Sequence, residues 1–336
     1  MKANRLHYLD AAKGFGMLAI IAGHMGYPAI EKFVFTFHVP LFFMICGYLY
    51  RCKNNYFQRL KHMLIPYFAT SITLLVLTDC REILKGIRSM DFSSVVRNTI
   101  DYAFASIYGS GVRQDFFSYQ IKPIGAIWFL LALLISQLIF DIVNQTFKNN
   151  KMLALGIVAV AIAVASIVSA KYTWLPFSIQ SAGVGCLFMY GGLLIKEYNL
   201  EDKKYMIGWG IAIWAVAILC SYKYGNMSVA ECLFPNVILN IVGAVMGSYV
   251  IIRFFSWLER KNCNNIIWEK LCMIGEYSTI VLCVHLIEIR VVPWHFLKEQ
   301  NLIFMPCIIF LIKIVIALLS ATIAKKGILA SRRKDI

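Results

Sequence analysis

Long apolar runs alternate with short polar segments along the whole chain. Each run comes near the ~20 residues that an α-helix needs to cross a bilayer. The pattern therefore predicts an all-α polytopic membrane protein with about ten transmembrane helices. The predicted spans are Leu9–Pro28, Phe33–Tyr50, Met63–Thr78, Pro123–Val143, Met152–Ala170, Phe177–Ile195, Tyr205–Tyr222, Phe234–Phe255, Leu271–Arg290 and Ile303–Ala324.

Composition agrees with this class of protein. The chain of 336 residues is 60% hydrophobic and 15% charged, whereas soluble domains average about 45–50% apolar and about 25% charged residues. A formal net charge of +15 would also suit a nucleic-acid-binding protein. The basic residues, however, cluster in short segments between the spans, as the positive-inside rule expects. We therefore expect membrane lipids around the protein, no nucleic acid partner, and both termini in the cytoplasm.

One outer connection, at about residues 79–122, is much longer than the others. Its apolar positions between Ile83 and Ile107 roughly follow a helical period, with charged residues between them. This pattern predicts a helix lying on the membrane surface, and Gly109, Ser110 and Gly111 are expected to end it. At the other end of the chain, residues from about 325 to 336 form a basic tail that is predicted to be cytoplasmic.

The first apolar run contains three ionisable side chains, which are costly inside a membrane and therefore indicate function by default. Lys13 and His24 are eleven residues apart, so they lie on one face of a helix, about 16 Å apart along its axis. We expect them to face one cavity. Asp10 lies one turn before Lys13 and can pair with it. For Asp10 a structural ion pair is the favoured interpretation.

Three histidines fall inside predicted spans at a similar depth, in the outer part of the membrane. They are His24, His38 and His285. This coincidence predicts a polar cavity at that level, and Glu288 follows one turn after His285. A metal site is an alternative, because histidine is a common metal ligand, but we expect none.

Other side chains have both a structural and a functional interpretation. Arg51, Lys53, Arg59 and Lys61 follow the second span. They either anchor the topology or bind a phosphate group. Trp128 opens the fourth span, either as an interfacial aromatic residue or as a surface on which a sugar ring stacks. The ten cysteines show no metal-ligand spacing. Cys80 and Cys232 both fall on the predicted outer side, which leaves a disulfide between them open.

Five stretches of the chain occur in an order that resembles a known family. They are LDAAKGFGMLAIIAGH, FTFHVPLFFMICGYLY, RLKHMLIPY, IWFLLALL and IGEYSTIVLCVHL. Together they resemble the membrane acyltransferase family 3, and within it the fucose 4-O-acetylase-like branch, from about Leu6 to Ala324. The first helix of that family carries a basic residue, ten arbitrary residues and a histidine. Here Lys13 takes the basic position, which is often arginine, and Cys46 stands where the family has a serine.

The resemblance implies a single integral membrane acyltransferase domain, residues 1–336, in the bacterial cytoplasmic membrane. It implies transfer of an acyl group, usually acetyl, from cytoplasmic acyl-CoA to a carbohydrate hydroxyl at the outer face. The acceptor would be a cell-surface polysaccharide or a lipid-linked glycan. Acyl-CoA (acetyl-CoA) is then a co-substrate, and no tightly bound cofactor is expected. A homo-oligomer and partners in glycan synthesis are left open.

Together with the residue pattern, the resemblance suggests a role for each candidate. His24 is the general base for the hydroxyl or a covalent acyl acceptor, and Lys13 lies near the thioester. His38, His285, Glu288 and Trp128 support His24 or bind the acceptor. Arg51, Arg59 and Lys61 bind the CoA phosphates. Asp10 is the partner of Lys13.

Two other classes of protein remain open at this point. A transporter or proton-coupled permease would also use intramembrane Asp, Lys and His residues, although the chain shows no internal repeat. The third interpretation is a structural partner in a glycan-synthesis complex. Uptake into vesicles and acyl transfer from labelled acetyl-CoA would separate these classes.

Overall fold

The fold was obtained as a computed structural model, which describes residues 5–51, 56–89, 93–116, 119–147, 150–200, 203–261, 265–298 and 304–334. Two short strands, β1 (Gln114–Phe116) and β2 (Tyr119–Ile121), pair antiparallel, and nearly all other regular structure is helical. The helices are α1 His7–Gly23, α2 Pro28–Val34, α3 His38–Tyr48, α4 Tyr56–Ser89, α5 Ser93–Tyr108, α6 Trp128–Thr146, α7 Lys151–Ser169, α8 Ile179–Glu197, α9 Lys204–Tyr224, α10 Val237–Arg260, α11 Ile266–Glu276, α12 Ser278–Val291, α13 Trp294–Lys298 and α14 Met305–Lys334.

The helices match the predicted spans. Within the described residues, eight helical segments are long and apolar enough to cross a membrane, and the bent pair α11–α12 would make a ninth. Helix α1, with 17 residues, occupies the place of the first predicted span. Each of the ten predicted spans therefore coincides with one of these elements, and the prediction of an all-α polytopic membrane protein is confirmed.

Two predicted spans are not single straight helices. The second is divided into α2 and α3 by residues 35–37. Pro40 explains this break, because its ring would clash with the carbonyl of Thr36 and it has no N–H to donate there. Because of this break, His38 is the first residue of α3 instead of a residue inside a helix. The ninth predicted span bends by 81° between α11 and α12, at Tyr277.

The long outer connection differs from its prediction. Helix α4 continues to Ser89 with no proline after Thr78, so the first part of the expected surface helix belongs to α4. The second part is α5. Residues 90–92, where the two would meet, lie outside the described residues. The predicted end of this helix is correct, since α5 stops at Tyr108 and Gly109 has a positive φ of 71°, which glycine adopts without strain.

Glycines allow the central helices to approach closely. A Cβ added to Gly14 of α1 would lie 2.1 Å from the carbonyl oxygen of Leu271, and one added to Gly192 of α8 would lie 1.8 Å from that of Met44. Small residues are typical of such crossings, because membrane helices associate by close packing and not by hiding apolar surface from lipid. These crossings join α1 to α11 and α3 to α8 and so fix the positions of α1 and α3, which carry His24 and His38 at or next to their ends.

Candidate functional site

His24 lies directly after the end of α1. Its backbone N–H donates to the Ile20 carbonyl at 3.1 Å, and Gly26, with a φ of 76°, allows the chain to turn towards α2. The His24 side chain is exposed and lines two cavities, of about 220 Å³ and about 240 Å³. An imidazole at the end of a spanning helix is therefore accessible to small molecules.

The cavity of about 220 Å³, here called the outer cavity, lies among segments on the predicted outer side. It is formed by the end of α1, the first turns of α3 and α6, one residue of α12, and the connections before α6 and before α10. Its lining is mostly apolar, with Phe35, Phe42 and Phe129, and it also includes Trp128 and Glu231.

His38 also lines the outer cavity. It is buried, and its Nδ1 lies 2.8 Å from the carbonyl oxygen of Val34. Because a carbonyl oxygen only accepts hydrogen bonds, the proton is on Nδ1, and Nε2 of the neutral ring carries the lone pair. The structure thus places His24 and His38 on one cavity, as the sequence predicts for the histidines at this depth.

His285 lies on the other side of His24, within a group that we call the buried triad: His285, Glu288 and Lys313. The ring centroids of His24 and His285 are 5.5 Å apart. Nδ1 of His285 donates to Oε1 of Glu288 at 2.8 Å, and Nζ of Lys313 donates to the same oxygen at 2.5 Å. Lys313 is also 4.1 Å from the ring centroid of Trp294. All three side chains of the triad are buried.

Lys13 is engaged at the opposite end of α1. Its Nζ lies 2.8 Å from Asp10, which also pairs with Arg5 at 2.5 Å, and Arg5 pairs in turn with Glu276. The expected Asp10–Lys13 pair is therefore present. Lys13 is not among the residues that line either cavity at His24. Neither of these two cavities therefore joins Lys13 to His24, because a shared helix face still leaves about 16 Å between them along the axis.

The predicted phosphate-binding residues do not form one cluster. Arg59 pairs with the fully buried Asp141, which also accepts a hydrogen bond from Tyr50 at 2.7 Å. Arg51 and Arg59 line a cavity of about 260 Å³. Lys61 lines a different one, and Lys53 lies outside the described residues. The reason is helical geometry, since Arg59 and Lys61 are two positions apart along α4 and side chains at that spacing do not face each other.

The cavity at Lys61, here called the inner cavity, has a volume of about 960 Å³. It lies between the first part of α4, the α11–α12 bend and the end of α14. Arg5, Lys61, His62 and Lys325 contribute basic groups to it, and Glu276 contributes an acidic one. All of these lie on the side that the distribution of basic residues predicts to be cytoplasmic.

Sequence reasoning did not single out three charged residues that the structure makes prominent. Lys313 and Asp141 lie inside predicted spans, and Lys313 interrupts the segment with the highest mean hydropathy, 2.7 for Met305–Ile328. The rule that marks intramembrane charges as functional would have identified both. Glu231 carried no such signal, since it lies in a connection, and only the fold brings it to the outer cavity.

The alternatives that involved cysteines and metals can also be compared with the structure. Cys80 and Cys232 are both free, so the disulfide left open by the sequence does not form. Cys232 is buried, and burial raises the pKa of its thiol to about 12. Cys46 accepts a hydrogen bond from Gln137 at 2.9 Å. Among the described residues, no three His, Cys, Asp or Glu side chains group as metal ligands.

Comparison with known proteins supports the family resemblance. A family model described as an acyltransferase domain matches residues 6–325. The nodulation protein NolL of Sinorhizobium fredii (strain NBRC 101917 / NGR234) is 24% identical over 255 residues, which is 70% of this chain and 61% of that protein. The chain thus spans about three fifths of the length of this curated relative. No solved structure matches the chain.

Proposed function

The chain belongs to the membrane acyltransferase family 3. From this premise we propose that it transfers an acyl group, namely acetyl, from cytoplasmic acyl-CoA to a hydroxyl of a carbohydrate at the outer face of the membrane. The acceptor is a cell-surface polysaccharide or a lipid-linked glycan. The membrane is the bacterial cytoplasmic membrane. These details go beyond family membership and rest on the arguments that follow.

The observation that carries the proposal is the position of His24 at the outer cavity. The aromatic side chains Phe42, Trp128 and Phe129 supply flat apolar surfaces, on which the C–H face of a sugar ring packs. Glu231 and Ser228 supply oxygen atoms that accept hydrogen bonds from hydroxyl groups. A cavity of about 220 Å³ suits one ring of a glycan, with the rest of the chain outside.

His24 then acts as the general base. A hydroxyl oxygen of the acceptor attacks the thioester carbonyl carbon, and its proton passes to the His24 imidazole. The C–S bond breaks, the thiolate of CoA leaves with the electron pair, and the proton on His24 is afterwards released. A positioned base of this kind is typically worth about 10²–10⁴-fold in rate. The same imidazole can instead take the acyl group first and pass it to the hydroxyl.

The inner cavity is the better candidate for the CoA head. Lys61 and Lys325 line it, and in the described part of the chain no carboxylate is paired with either. Arg59, in contrast, is neutralised by Asp141. The inner cavity also contacts Ile280 of α12, which precedes His285 by five residues, or about 8 Å of helix. The pantetheine arm would have to cover this last distance.

Acetyl transfer by purified protein tests the proposal. The full chain is reconstituted in phospholipid vesicles with radiolabelled acetyl-CoA and a panel of p-nitrophenyl glycosides. We expect labelled glycoside from the wild type, and a loss of at least about 10²-fold for His24→Ala, with normal folding and CoA binding. His7→Ala, an exposed histidine at the other end of α1, is the matched control. Near-normal turnover by His24→Ala would show that this histidine is not the base.

Uptake by the same vesicles distinguishes the transporter. The buried triad is the observation that favours such a protein, because intramembrane carboxylate, ammonium and imidazole groups also serve proton relays. Accumulation of the unmodified glycoside inside the vesicles, without acetylation, would favour the permease.

A further inference from the structure

The buried triad contains a hydrogen-bonding position that the fold leaves empty. Nδ1 of His285 is committed to Glu288, and a carboxylate only accepts, so Nε2 of the neutral ring holds a lone pair. Nε2 has no hydrogen-bond partner among the described residues, and neither does Oε2 of Glu288. Buried polar atoms without partners are costly and need an explanation. The neighbouring ring is that of His24, at 5.5 Å between centroids.

The charges around His24 come from four elements. His285 on α12 and Lys313 on α14 lie on one side, where Lys313 lines the same cavity of about 240 Å³ as His24. His38 on α3 and Glu231 in the connection before α10 lie at the outer cavity. Glu288 does not line either cavity at His24 and reaches it through the His285 ring.

We propose that Glu288 and Lys313 are positioning residues for the acyl transfer, and that they act on His24 through His285. The inference rests on the proposed function, since it concerns the proton that His24 removes from the acceptor. Glu288 fixes the His285 ring so that the free Nε2 can accept a hydrogen bond from His24, directly or across one water. Lys313 shares the charge of Glu288 and keeps the histidine pair unprotonated.

The transfer step shows why the negative charge of Glu288 is needed. When the hydroxyl oxygen bonds to the acyl carbon, its proton moves to one nitrogen of His24, and the ring becomes an imidazolium. The N–H on its other nitrogen donates to Nε2 of His285, whose own N–H donates to Glu288. The carboxylate thus stabilises the new positive charge at a distance. No net proton enters or leaves the triad, and the thiolate departs with the electrons of the C–S bond.

The two residues are predicted to move the pH dependence in opposite directions. The base must be unprotonated, so activity falls as the pH drops through the titration of the histidine pair. Glu288→Gln removes the negative charge while the Lys313 cation stays beside the histidine pair, which disfavours protonation and moves the acidic limb to lower pH. Lys313→Met leaves the negative charge of Glu288 without the compensating ammonium group, which favours protonation of the histidine pair and moves the acidic limb to higher pH. A charge at this range shifts a titration by about one unit or more.

The experiment measures kcat/KM between pH 5 and 9, a range of about two units on each side of neutrality, with radiolabelled acetyl-CoA and the p-nitrophenyl glycoside that the wild type uses best. We also expect Glu288→Gln to lower kcat about tenfold or more, while the KM for acetyl-CoA stays near normal. Lys313→Arg keeps the charge and should keep the wild-type profile. Ser320→Ala, a buried site on the same helix, is the matched control and should be unchanged.

A double variant, Glu288→Gln with Lys313→Met, separates positioning from folding. Removing one partner of a buried pair is strongly destabilising, whereas replacing both can be neutral. The double variant should therefore recover folded yield but remain about tenfold slower than the wild type. Full recovery of the rate by the double variant would overturn the relay. So would acidic limbs of the two single variants that stay in place or move in the same direction. A wild type that acetylates no glycoside would overturn the proposed function, and the relay with it.

Discussion

Arg59 offers a test of what the basic residues after the second span do. Its guanidinium pairs with Asp141, and the two side chains are 16% and 1% exposed. Arg59→Met would leave a buried carboxylate whose remaining hydrogen bond, within the described residues, comes from Tyr50. Breaking a buried ion pair from one side costs about 3–5 kcal/mol. Because the tyrosine hydrogen bond remains, we expect a loss near the lower figure, about 3 kcal/mol.

The assay compares thermal unfolding in detergent with the KM for acetyl-CoA. Arg59→Met should lower the unfolding temperature by several degrees and reduce folded yield, with the donor KM of the remaining folded protein unchanged. The double variant Arg59→Met with Asp141→Leu should recover most of the stability, since neither charge is then left alone. If Arg59→Met instead unfolds like the wild type and needs about tenfold more acetyl-CoA, Arg59 binds the donor and the ion-pair argument is refuted.

The remaining predictions concern the inner cavity and the helix crossings. Changing Lys61 and Lys325 to alanine should raise the KM for acetyl-CoA at least about tenfold, because each charge-assisted contact is worth about 1.5–3 kcal/mol. Thermal unfolding should not change. An unchanged KM would exclude the inner cavity as the CoA site. Gly192→Ala should sharply reduce folded yield, since its Cβ would lie 1.8 Å from the carbonyl oxygen of Met44. Gly208→Ala, with nothing within 4 Å of the added Cβ, should leave the yield unchanged, and equal yields of the two variants would contradict the close α3–α8 packing.

Much of the fold follows from local pattern alone. A run of about 20 apolar residues must be helical in a bilayer, because every backbone N–H and C=O group has to find its partner within the chain. For this reason all ten predicted spans correspond to helical elements. The break before α3 was also encoded locally, in Pro40, because a proline ring clashes with the carbonyl four residues earlier in a helix.

The site was only partly predictable. The similar depth of the three histidines predicted a shared region, and the structure places His24 and His38 on one cavity with the His285 ring 5.5 Å from that of His24. The pairing of Lys13 with Asp10 also followed from their spacing. The predicted phosphate-binding residues line two different cavities, because proximity along the chain does not determine which neighbouring helix each side chain contacts.

The sequence by itself determined which segments form long apolar helices, where helix α5 ends, and which ionisable groups the first helix carries. These properties depend on residues within a few turns of one another, through hydrogen bonding along the backbone and hydropathy. Only the tertiary structure decided that Asp141 neutralises Arg59, that Lys313 reaches Glu288, and that Glu231 lies at the cavity of His24. Each of these contacts joins residues far apart in the chain, and their meeting depends on helix crossings at glycines such as Gly14 and Gly192, where the backbones touch.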